Sequence, residues 1–193
     1  MKSICVYCGS NTGTKPEYVD AARGLGASLA KRGITLVYGG GRVGLMGVLA
    51  DACLAAGGQV IGVIPEFLAL KEVAHAGLTN LVVVDSMHTR KAEMERRADG
   101  FIALPGGIGT MEELFEIWTW SQLGQHRKPC GLLDAGGYFD HLNAFLDRMA
   151  DDGFVNPEHR AMLHRHESAD ALLDAFIAYE APPADIRIKV KQT

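Results

Sequence analysis

Short apolar runs alternate with longer stretches of helical periodicity along most of the chain. Each run has the length of one buried strand, and each stretch has the length of one helix. The pattern predicts strands over residues 4–8, 34–38, 60–64, 81–84, 101–104, 130–133 and 163–166. It predicts helices over residues 16–32, 44–56, 87–98, 110–123, 138–151 and 169–179. Nearly continuous apolar strands that alternate with helices indicate a parallel sheet covered on both faces.

We therefore expect an α/β fold, a single doubly wound Rossmann-like domain with a mainly parallel sheet. The domain is expected to span residues 1–180, with a C-terminal tail over residues 181–193. The chain has 193 residues, of which 48% are hydrophobic and 22% charged, and this composition suits one soluble domain with a sizeable core. The net charge of −4 disfavours nucleic acid and anionic membranes as partners. No apolar run approaches the roughly 18 residues of a membrane span, so we expect a cytoplasmic protein.

Glycine-rich loops follow several of the predicted strands. Ligands of doubly wound sheets bind beyond the carboxyl ends of the strands. The loop after the fifth strand, residues 105–110, reads Pro-Gly-Gly-Ile-Gly-Thr and opens a helix. Its backbone N–H groups and the Thr110 hydroxyl can hold a phosphate at the helix start. The loop lacks the lysine of a Walker A motif, which favours a monophosphate over a triphosphate.

The loop at residues 39–44 has the Gly-x-Gly-x-x-Gly spacing of a dinucleotide-binding fingerprint. Glu66 lies near the position of the acid that binds ribose hydroxyls in such proteins. The fingerprint usually follows the first strand of its unit, whereas this loop follows the second. Two interpretations stay open here: a tight turn with close packing, or a phosphate-binding loop.

Two charged residues are candidates for chemistry near the 105–110 loop. Thr110 and Glu113 have the spacing of a capping box, in which Glu113 would only bond back to the helix start. In the alternative interpretation, Glu113 lies in the first helical turn and stabilises a cationic sugar or positions water. Arg90 shares a helix face with Met87 and Met94, so it needs a carboxylate or phosphate partner. A purely structural ion pair is the alternative for Arg90.

The cysteines and histidines predict no further chemistry. Cys5 and Cys8 form a Cys-x-x-Cys motif, but they lie in a predicted strand and point to opposite faces. We expect them to be buried as small hydrophobic residues. His164 and His166 can share one face of a strand, but no further ligand spacing completes a metal site. No metal is predicted.

Taken together, these motifs resemble the LOG family, the cytokinin riboside 5′-monophosphate phosphoribohydrolases, whose members are often labelled lysine decarboxylase-like. The family signature P-G-G-x-G-T-x-x-E is matched in full by residues 105–113, and its companion Arg-Lys pair is matched by residues 90–91. The stretches CVYCGS and YGGGRVGLMG also resemble earlier loops of the family. The resemblance covers roughly residues 3–137.

The resemblance implies a hydrolase that cleaves the N-glycosidic bond of AMP or of an N6-modified AMP, releasing the base and ribose 5-phosphate. It implies Arg90 and Glu113 as the catalytic pair. It implies substrate binding by the following residues: Gly39, Gly40, Glu72, Lys91, Gly106, Gly107, Ile108, Gly109, Thr110, Met111, Glu112 and Thr119. It also implies a homodimer and no cofactor. The decarboxylase label fits poorly, because a pyridoxal enzyme needs a lysine in its pocket and Lys91 is the only lysine near these loops.

Two other classes stay open beside the hydrolase. One is a non-catalytic nucleotide or cofactor carrier of the same fold, which does not need the Arg90–Glu113 pair. The other is an NAD-dependent oxidoreductase that uses the loop at residues 39–44. The preferred base, the pathway and the division of roles between Arg90 and Glu113 are not determined by the sequence.

Overall fold

A computed structural model describes residues 1–69 and 74–182, and these residues form seven strands and eight helices. The strands are β1 (Ser3–Tyr7), β2 (Thr35–Tyr38), β3 (Val60–Pro65), β4 (Asn80–Val84), β5 (Phe101–Ala103), β6 (Cys130–Leu133) and β7 (Leu163–His166). The helices are α1 (Pro16–Lys31), α2 (Gly44–Ala55), α3 (Glu66–Leu68), α4 (Met87–Arg97), α5 (Ile108–Gln122), α6 (Asp140–Asp151), α7 (Pro157–Ala161) and α8 (Ala169–Ile177). Each strand predicted from the apolar pattern is present.

The seven strands form one sheet in the order β4-β3-β2-β1-β5-β6-β7, and each neighbouring pair is parallel. The chain first builds outward from β1 to β4 and then returns to add β5 on the other side of β1. The expected α/β, doubly wound architecture is therefore confirmed. The strand order reverses between β1 and β5, and a ligand crevice is expected beyond the carboxyl ends of these strands.

Two apolar layers cover the sheet, one on each face. Helices α1, α2 and α8 pack on one face, and α4, α5 and α6 pack on the other. Along β1, Ile4 and Val6 join the first layer, whereas Cys5 and Tyr7 join the second. Cys8 lies in the first layer, so the two thiols of the Cys-x-x-Cys motif point to opposite faces. All four cysteines are free and buried, as expected.

The starts of two helices differ from the sequence prediction: α5 begins earlier and α6 begins later. Both starts follow loops at the carboxyl edge of the sheet. Helix α5 begins at Ile108, with Gly107 as its N-cap, instead of at Thr110. Helix α6 begins at Asp140 instead of at residue 138, because a glycine pair with positive φ precedes it. In addition, α3 and α7 were not predicted. Helix α7 had a readable signal, since Asn156 caps it and Pro157 occupies its first turn.

Three predictions fall on or beside residues that the structure does not describe. Glu72 lies outside the described residues, and so do residues 183–193 of the expected tail. The division into a domain at residues 1–180 and a tail stays a prediction. In the described part of the chain, no helix is long and apolar enough to cross a membrane.

Candidate active site

A cleft of about 260 Å³ opens at the carboxyl edge, where the loops after β1, β2 and β5 meet the first turns of α4 and α5. It lies beside the β1–β5 reversal point, where a doubly wound sheet is expected to bind its ligand. The predicted site residues that line this cleft are Gly39, Arg90, Gly107, Ile108, Gly109, Thr110, Glu112 and Glu113. Eight of the fourteen predicted site residues therefore line this cleft.

Arg90 and Glu113 meet inside the cleft, although they lie on different helices. The Nη2 atom of Arg90 lies 3.3 Å from Oε1 of Glu113, and each side chain is only 11% exposed. The Nε group of Arg90 donates a hydrogen bond of 3.2 Å to the carbonyl of Val63 at the end of β3. Its Nη1 group contacts the Met87 sulfur at 3.8 Å. The guanidinium is thus held on three sides, which keeps it beside Glu113.

Gly39 makes room for this guanidinium. A Cβ atom added at Gly39 would lie 2.1 Å from Nη2 of Arg90 and 3.2 Å from its Cζ. Any larger residue at this position would push the guanidinium away from Glu113. The contact gives the first glycine of the 39–44 loop a structural reason that the sequence pattern did not reveal.

Burial dominates the electrostatics of Glu113. Burial raises the pKa of this carboxyl group above its ordinary value, the charge of Arg90 partly opposes the shift, and Glu112 adds to it. Burial likewise raises the pKa of Tyr7 and of Cys8, both of which line the cleft and stay neutral at physiological pH. A carboxyl group whose pKa is raised toward neutrality suits general acid–base chemistry.

The start of α5 is built to receive an anion. Gly107 is the N-cap and makes no side-chain capping bond. The first N–H groups of a helix have no partner within the helix, and here the residues that carry them line the cleft. Ile108 is 91% exposed at this helix start. Unpaired N–H groups and the positive end of the helix dipole together favour a phosphate here.

The capping-box interpretation of Glu113 is wrong. Because α5 begins at Ile108, Thr110 is the third helical residue and cannot be the N-cap. Glu113 consequently lies in the second turn of the helix, so the prediction that placed it in the first turn is also wrong, and it has no cap to bond. Thr110 is buried at 3% exposure and faces the cleft. With the cap excluded, the pairing with Arg90 is the observed environment of Glu113.

The three glycines of the 105–110 loop have different surroundings. A Cβ atom at Gly106 would lie 2.1 Å from Oγ1 of Thr110 and 2.9 Å from the Gly9 nitrogen, so this glycine permits close packing. The corresponding positions at Gly107 and Gly109 have no atom within 4 Å. These two glycines leave open space next to the helix start, where a ligand can approach the backbone closely.

Lys91 forms a second pair of contacts between the same two helices. Its Nζ atom lies 2.6 Å from Oε1 of Glu112 and 3.0 Å from Oε1 of Glu116. Burial acts to lower the pKa of Lys91, but its hydrogen bonds to the two carboxylates outweigh burial and the pKa is raised. Lys91 is not among the described residues that line the cleft. Its predicted binding of substrate stays a prediction.

Three further predicted binding residues that the structure describes, Gly40, Met111 and Thr119, are not among the residues that line the cleft. Gly40 has a φ of +75° and packs against Ile64 and Leu81. Met111 packs on the apolar layer around α5, and Thr119 is exposed further along that helix. Roles in substrate binding for these residues stay predictions, as does the role of Glu72.

The last glycine of the 39–44 loop also serves packing. Gly44 has a φ of +60°, and a Cβ atom there would lie 2.2 Å from the Ser10 carbonyl carbon. The loops after β1 and β2 therefore touch through bare backbone. This geometry favours the tight-turn interpretation of the fingerprint over an NAD site.

Sequence reasoning missed several parts of the site. Ser10 and Met46 line the cleft, and Val63 supplies the carbonyl that holds Arg90. Ser10 could have been found, since it lies three residues after the end of β1, in the loop at the carboxyl edge. The Val63 carbonyl carries no side-chain signal. Among residues 1–69 and 74–182, no group of three or more His, Cys, Asp or Glu side chains could hold a metal ion.

Known proteins resemble this chain over nearly its full length. Residues 46–176 match the family model described as "Possible lysine decarboxylase". The cytokinin riboside 5′-monophosphate phosphoribohydrolase LOG7 of Arabidopsis thaliana is 48% identical over 98% of this chain and 88% of its own length. LOG2 of the same plant, which carries the same enzyme name, is 48% identical over 93% of this chain and 84% of its own length.

Solved structures agree with this fold. The molybdenum cofactor binding protein from the phototrophic bacterium Rippkaea orientalis superposes with a TM-score of 0.70 at 21% identity, covering 92% of this chain and 97% of that protein. This likeness concerns the fold alone. The similarity to the plant enzymes covers nearly the whole chain, and the predicted resemblance to the LOG family is confirmed. The chain belongs to the LOG family of cytokinin riboside 5′-monophosphate phosphoribohydrolases.

Proposed function

We propose that this protein is a nucleoside 5′-monophosphate N-glycosidase. It hydrolyses AMP or an N6-modified AMP to the free base and ribose 5-phosphate. The observation that carries the proposal is the buried Arg90–Glu113 pair, which shares one cleft with the uncapped start of α5. The names of the plant relatives, which are phosphoribohydrolases of cytokinin riboside 5′-monophosphates, support the same activity.

The α5 start and Glu113 are spaced to hold two ends of one substrate. Glu113 lies six residues after the N-cap Gly107, which corresponds to roughly 9 Å along the helix axis. Helical side chains lean toward the N-terminus, so the carboxylate points back toward the loop. A 5′-phosphate bound to the loop N–H groups would therefore place its ribose near Glu113.

Glu113 supplies the charge for bond cleavage. When the N-glycosidic bond breaks, its electrons leave with the base, which takes up a proton, and the sugar carbon becomes cationic. An ionised carboxylate beside that carbon stabilises the cation, or it accepts a proton from the attacking water. Arg90 holds the carboxylate in place, and its charge opposes the rise that burial causes in the pKa of Glu113. Binding of the phosphate at the loop holds the sugar beside Glu113.

The residues present do not fit a pyridoxal-dependent decarboxylase. Such an enzyme needs a lysine whose amine can form a Schiff base with the cofactor. The ammonium group of Lys91 is bound by Glu112 and Glu116, and its pKa is raised, which opposes nucleophilic attack.

We further propose a cytoplasmic homodimer. The family resemblance supports the dimer, and so do two exposed apolar rings near α6, Phe145 at 61% and Phe154 at 83% exposure. The net charge of −4 supports small nucleotides as ligands in preference to nucleic acid.

The test is incubation of the protein with a panel of nucleoside 5′-monophosphates and the matching nucleosides. Released bases are separated by chromatography, and light scattering reports the oligomeric state. We expect base release from AMP or its N6-modified forms and none from adenosine. Equal turnover of adenosine and AMP would contradict the role of the phosphate loop. Tight binding of AMP without base release would instead favour the carrier class.

A further inference from the structure

A second cavity of about 180 Å³ lies on the other side of the 105–110 loop. Ser10 and Gly107 line both cavities, so the loop forms the wall between them. Two tyrosines line the second cavity, and their rings meet edge to face with centroids 5.5 Å apart. The hydroxyl of one of them, Tyr138, donates a hydrogen bond of 2.5 Å to the Gly106 carbonyl.

The segment that carries Tyr138 is held firmly in place. Asp134 is buried at the end of β6, where its carboxylate accepts the Phe139 N–H at 3.0 Å and Nε of Arg165 at 2.7 Å. Arg165 also pairs with Asp140 at the start of α6. The turn between β6 and α6 is therefore fixed at both ends, and the Tyr138 hydroxyl is presented to the loop at a defined position.

The hydrogen bond controls the orientation of one peptide group. In a trans peptide the carbonyl and the N–H point in opposite directions. When the Gly106 carbonyl is drawn toward Tyr138, the Gly107 N–H must point away from the second cavity, toward the cleft. A Gly-Gly peptide rotates more freely than any other, so without such a bond its orientation is weakly determined.

We propose that Tyr138 is a positioning residue for the phosphate loop. Its hydroxyl locks the peptide between Gly106 and Gly107 so that the Gly107 N–H faces the anion. This inference rests on the proposed function in one respect, namely that the loop binds the 5′-phosphate of the substrate. Tyr138 itself lies on the side of the loop that faces the second cavity, and it acts on the loop only through its hydrogen bond to Gly106.

The test compares Tyr138→Phe with the wild type. The variant loses only the hydroxyl from a ring that is 40% exposed, so it is expected to melt within about 2 °C of the wild type, as surface substitutions do. We expect KM for AMP to rise about three- to tenfold, the effect of one neutral hydrogen bond. The kcat is expected to stay within about twofold, because the geometry of Glu113 is unchanged.

Calorimetric titration with ribose 5-phosphate gives a second readout that needs no catalysis. The affinity of Tyr138→Phe is expected to fall by the same factor as the rise in KM. Tyr18→Phe is the matched control, since it removes a hydroxyl from the other ring of the cavity, and it is expected to bind like the wild type. An unchanged affinity of Tyr138→Phe would overturn the inference, as would an equal loss in Tyr18→Phe.

The same titration separates this inference from the proposed function. If the wild type binds ribose 5-phosphate but does not cleave AMP, the proposed activity is wrong, whereas a weaker Tyr138→Phe would still support the positioning role. If the wild type does not bind ribose 5-phosphate, the loop is not a phosphate site and the inference is overturned.

Discussion

Replacing Glu113 by glutamine removes one charge from the cleft and changes little else. Glutamine has nearly the same volume, and its amide oxygen can still face Nη2 of Arg90, which lies 3.3 Å from the Glu113 carboxylate in the wild type. Arg90 also keeps its bond to the Val63 carbonyl, so its charge is not left without a partner. The substitution therefore tests charge separately from shape.

The stability of Glu113→Gln is expected to stay close to that of the wild type. The substitution loses the attraction to Arg90, but it also removes the burial penalty that raises the pKa of Glu113. These effects oppose each other, and we expect a net change under about 1 kcal/mol at neutral pH. Catalysis has no such compensation. A loss on the order of 100-fold in base release, or about 2.7 kcal/mol in barrier height, is expected from removing a general acid–base group.

The pH dependence of stability gives an independent check. Because the pKa of Glu113 is raised in the folded protein, the folded state holds this proton more tightly than the unfolded chain. The contribution of Glu113 to stability is therefore greatest below the ordinary glutamate pKa of about 4.3 and falls as pH rises through the raised value. The Glu113→Gln variant lacks this titration, so its stability relative to the wild type should increase as pH rises above the ordinary glutamate pKa of about 4.3.

The assays are thermal melting and chromatographic base release from AMP. The matched control is Glu116→Gln, the same substitution one turn further along α5, where the carboxylate pairs with Lys91 instead of Arg90. We expect this control to keep base release within a few-fold of the wild type. Wild-type base release by Glu113→Gln would refute the catalytic role. An equally large loss of base release in Glu116→Gln would show that the effect comes from removing any negative charge on α5, and not from Glu113 in particular.

Three further predictions concern the loop and the charged pair. Gly107→Ala should raise KM for AMP and fold normally, since the space around its Cβ position is empty. Gly106→Ala should lower the melting temperature by several degrees, because its Cβ would lie 2.1 Å from Oγ1 of Thr110. Kinetics and melting curves of both variants test this contrast. Arg90→Lys keeps the charge but loses the planar guanidinium, so base release from AMP should fall on the order of 100-fold, and near-normal rates would show that charge alone suffices. The acid limb of kcat/KM against pH should lie above the ordinary glutamate pKa of about 4.3. Arg90→Met should move this limb to still higher pH, because the charge of Arg90 lowers the pKa of Glu113. A limb at the ordinary value would contradict the raised pKa of Glu113.

The sequence predicted the fold well because the fold depends on local pattern. Strands β1 to β6 are short, mainly apolar runs, and the turn after α1 is marked by Gly33, so this part of the strand–helix alternation could be read directly. The last strand, β7, reads Leu-His-Arg-His and carries a weaker signal. The start of α5 was misplaced because glycine is a poor helix former and residues 106–109 look like loop. In the folded protein, Ile108 and Gly109 join the helix, and the predicted cap at Thr110 becomes an interior position.

The candidate site was predicted in its residue types but not in its contacts. The helix face that Arg90 shares with Met87 and Met94 required a partner for its charge, yet two candidates, a carboxylate and a phosphate, stayed open. Only the strand order brings α4 and α5 onto the same sheet face and places Glu113 at 3.3 Å. The two carboxylates around Lys91 depend on the same placement. Contacts between side chains on separate helices have no signature in a single sequence.

Gly39 offers a way to disturb the charged pair without changing either member. Its φ is not in the left-handed region, so Gly39→Ala is compatible with the backbone. The added methyl group would lie 2.1 Å from Nη2 of Arg90, and the guanidinium can move aside because it ends a flexible side chain. Stability should therefore change by less than about 1 kcal/mol, whereas base release from AMP should fall at least about tenfold, since displacement of about 1 Å in a catalytic group is costly. If Gly39 acts only through Arg90, the double variant Gly39→Ala with Arg90→Met should be no slower than Arg90→Met alone. Additive losses in the double variant would show instead that Gly39 contacts the substrate directly, as the family resemblance implies.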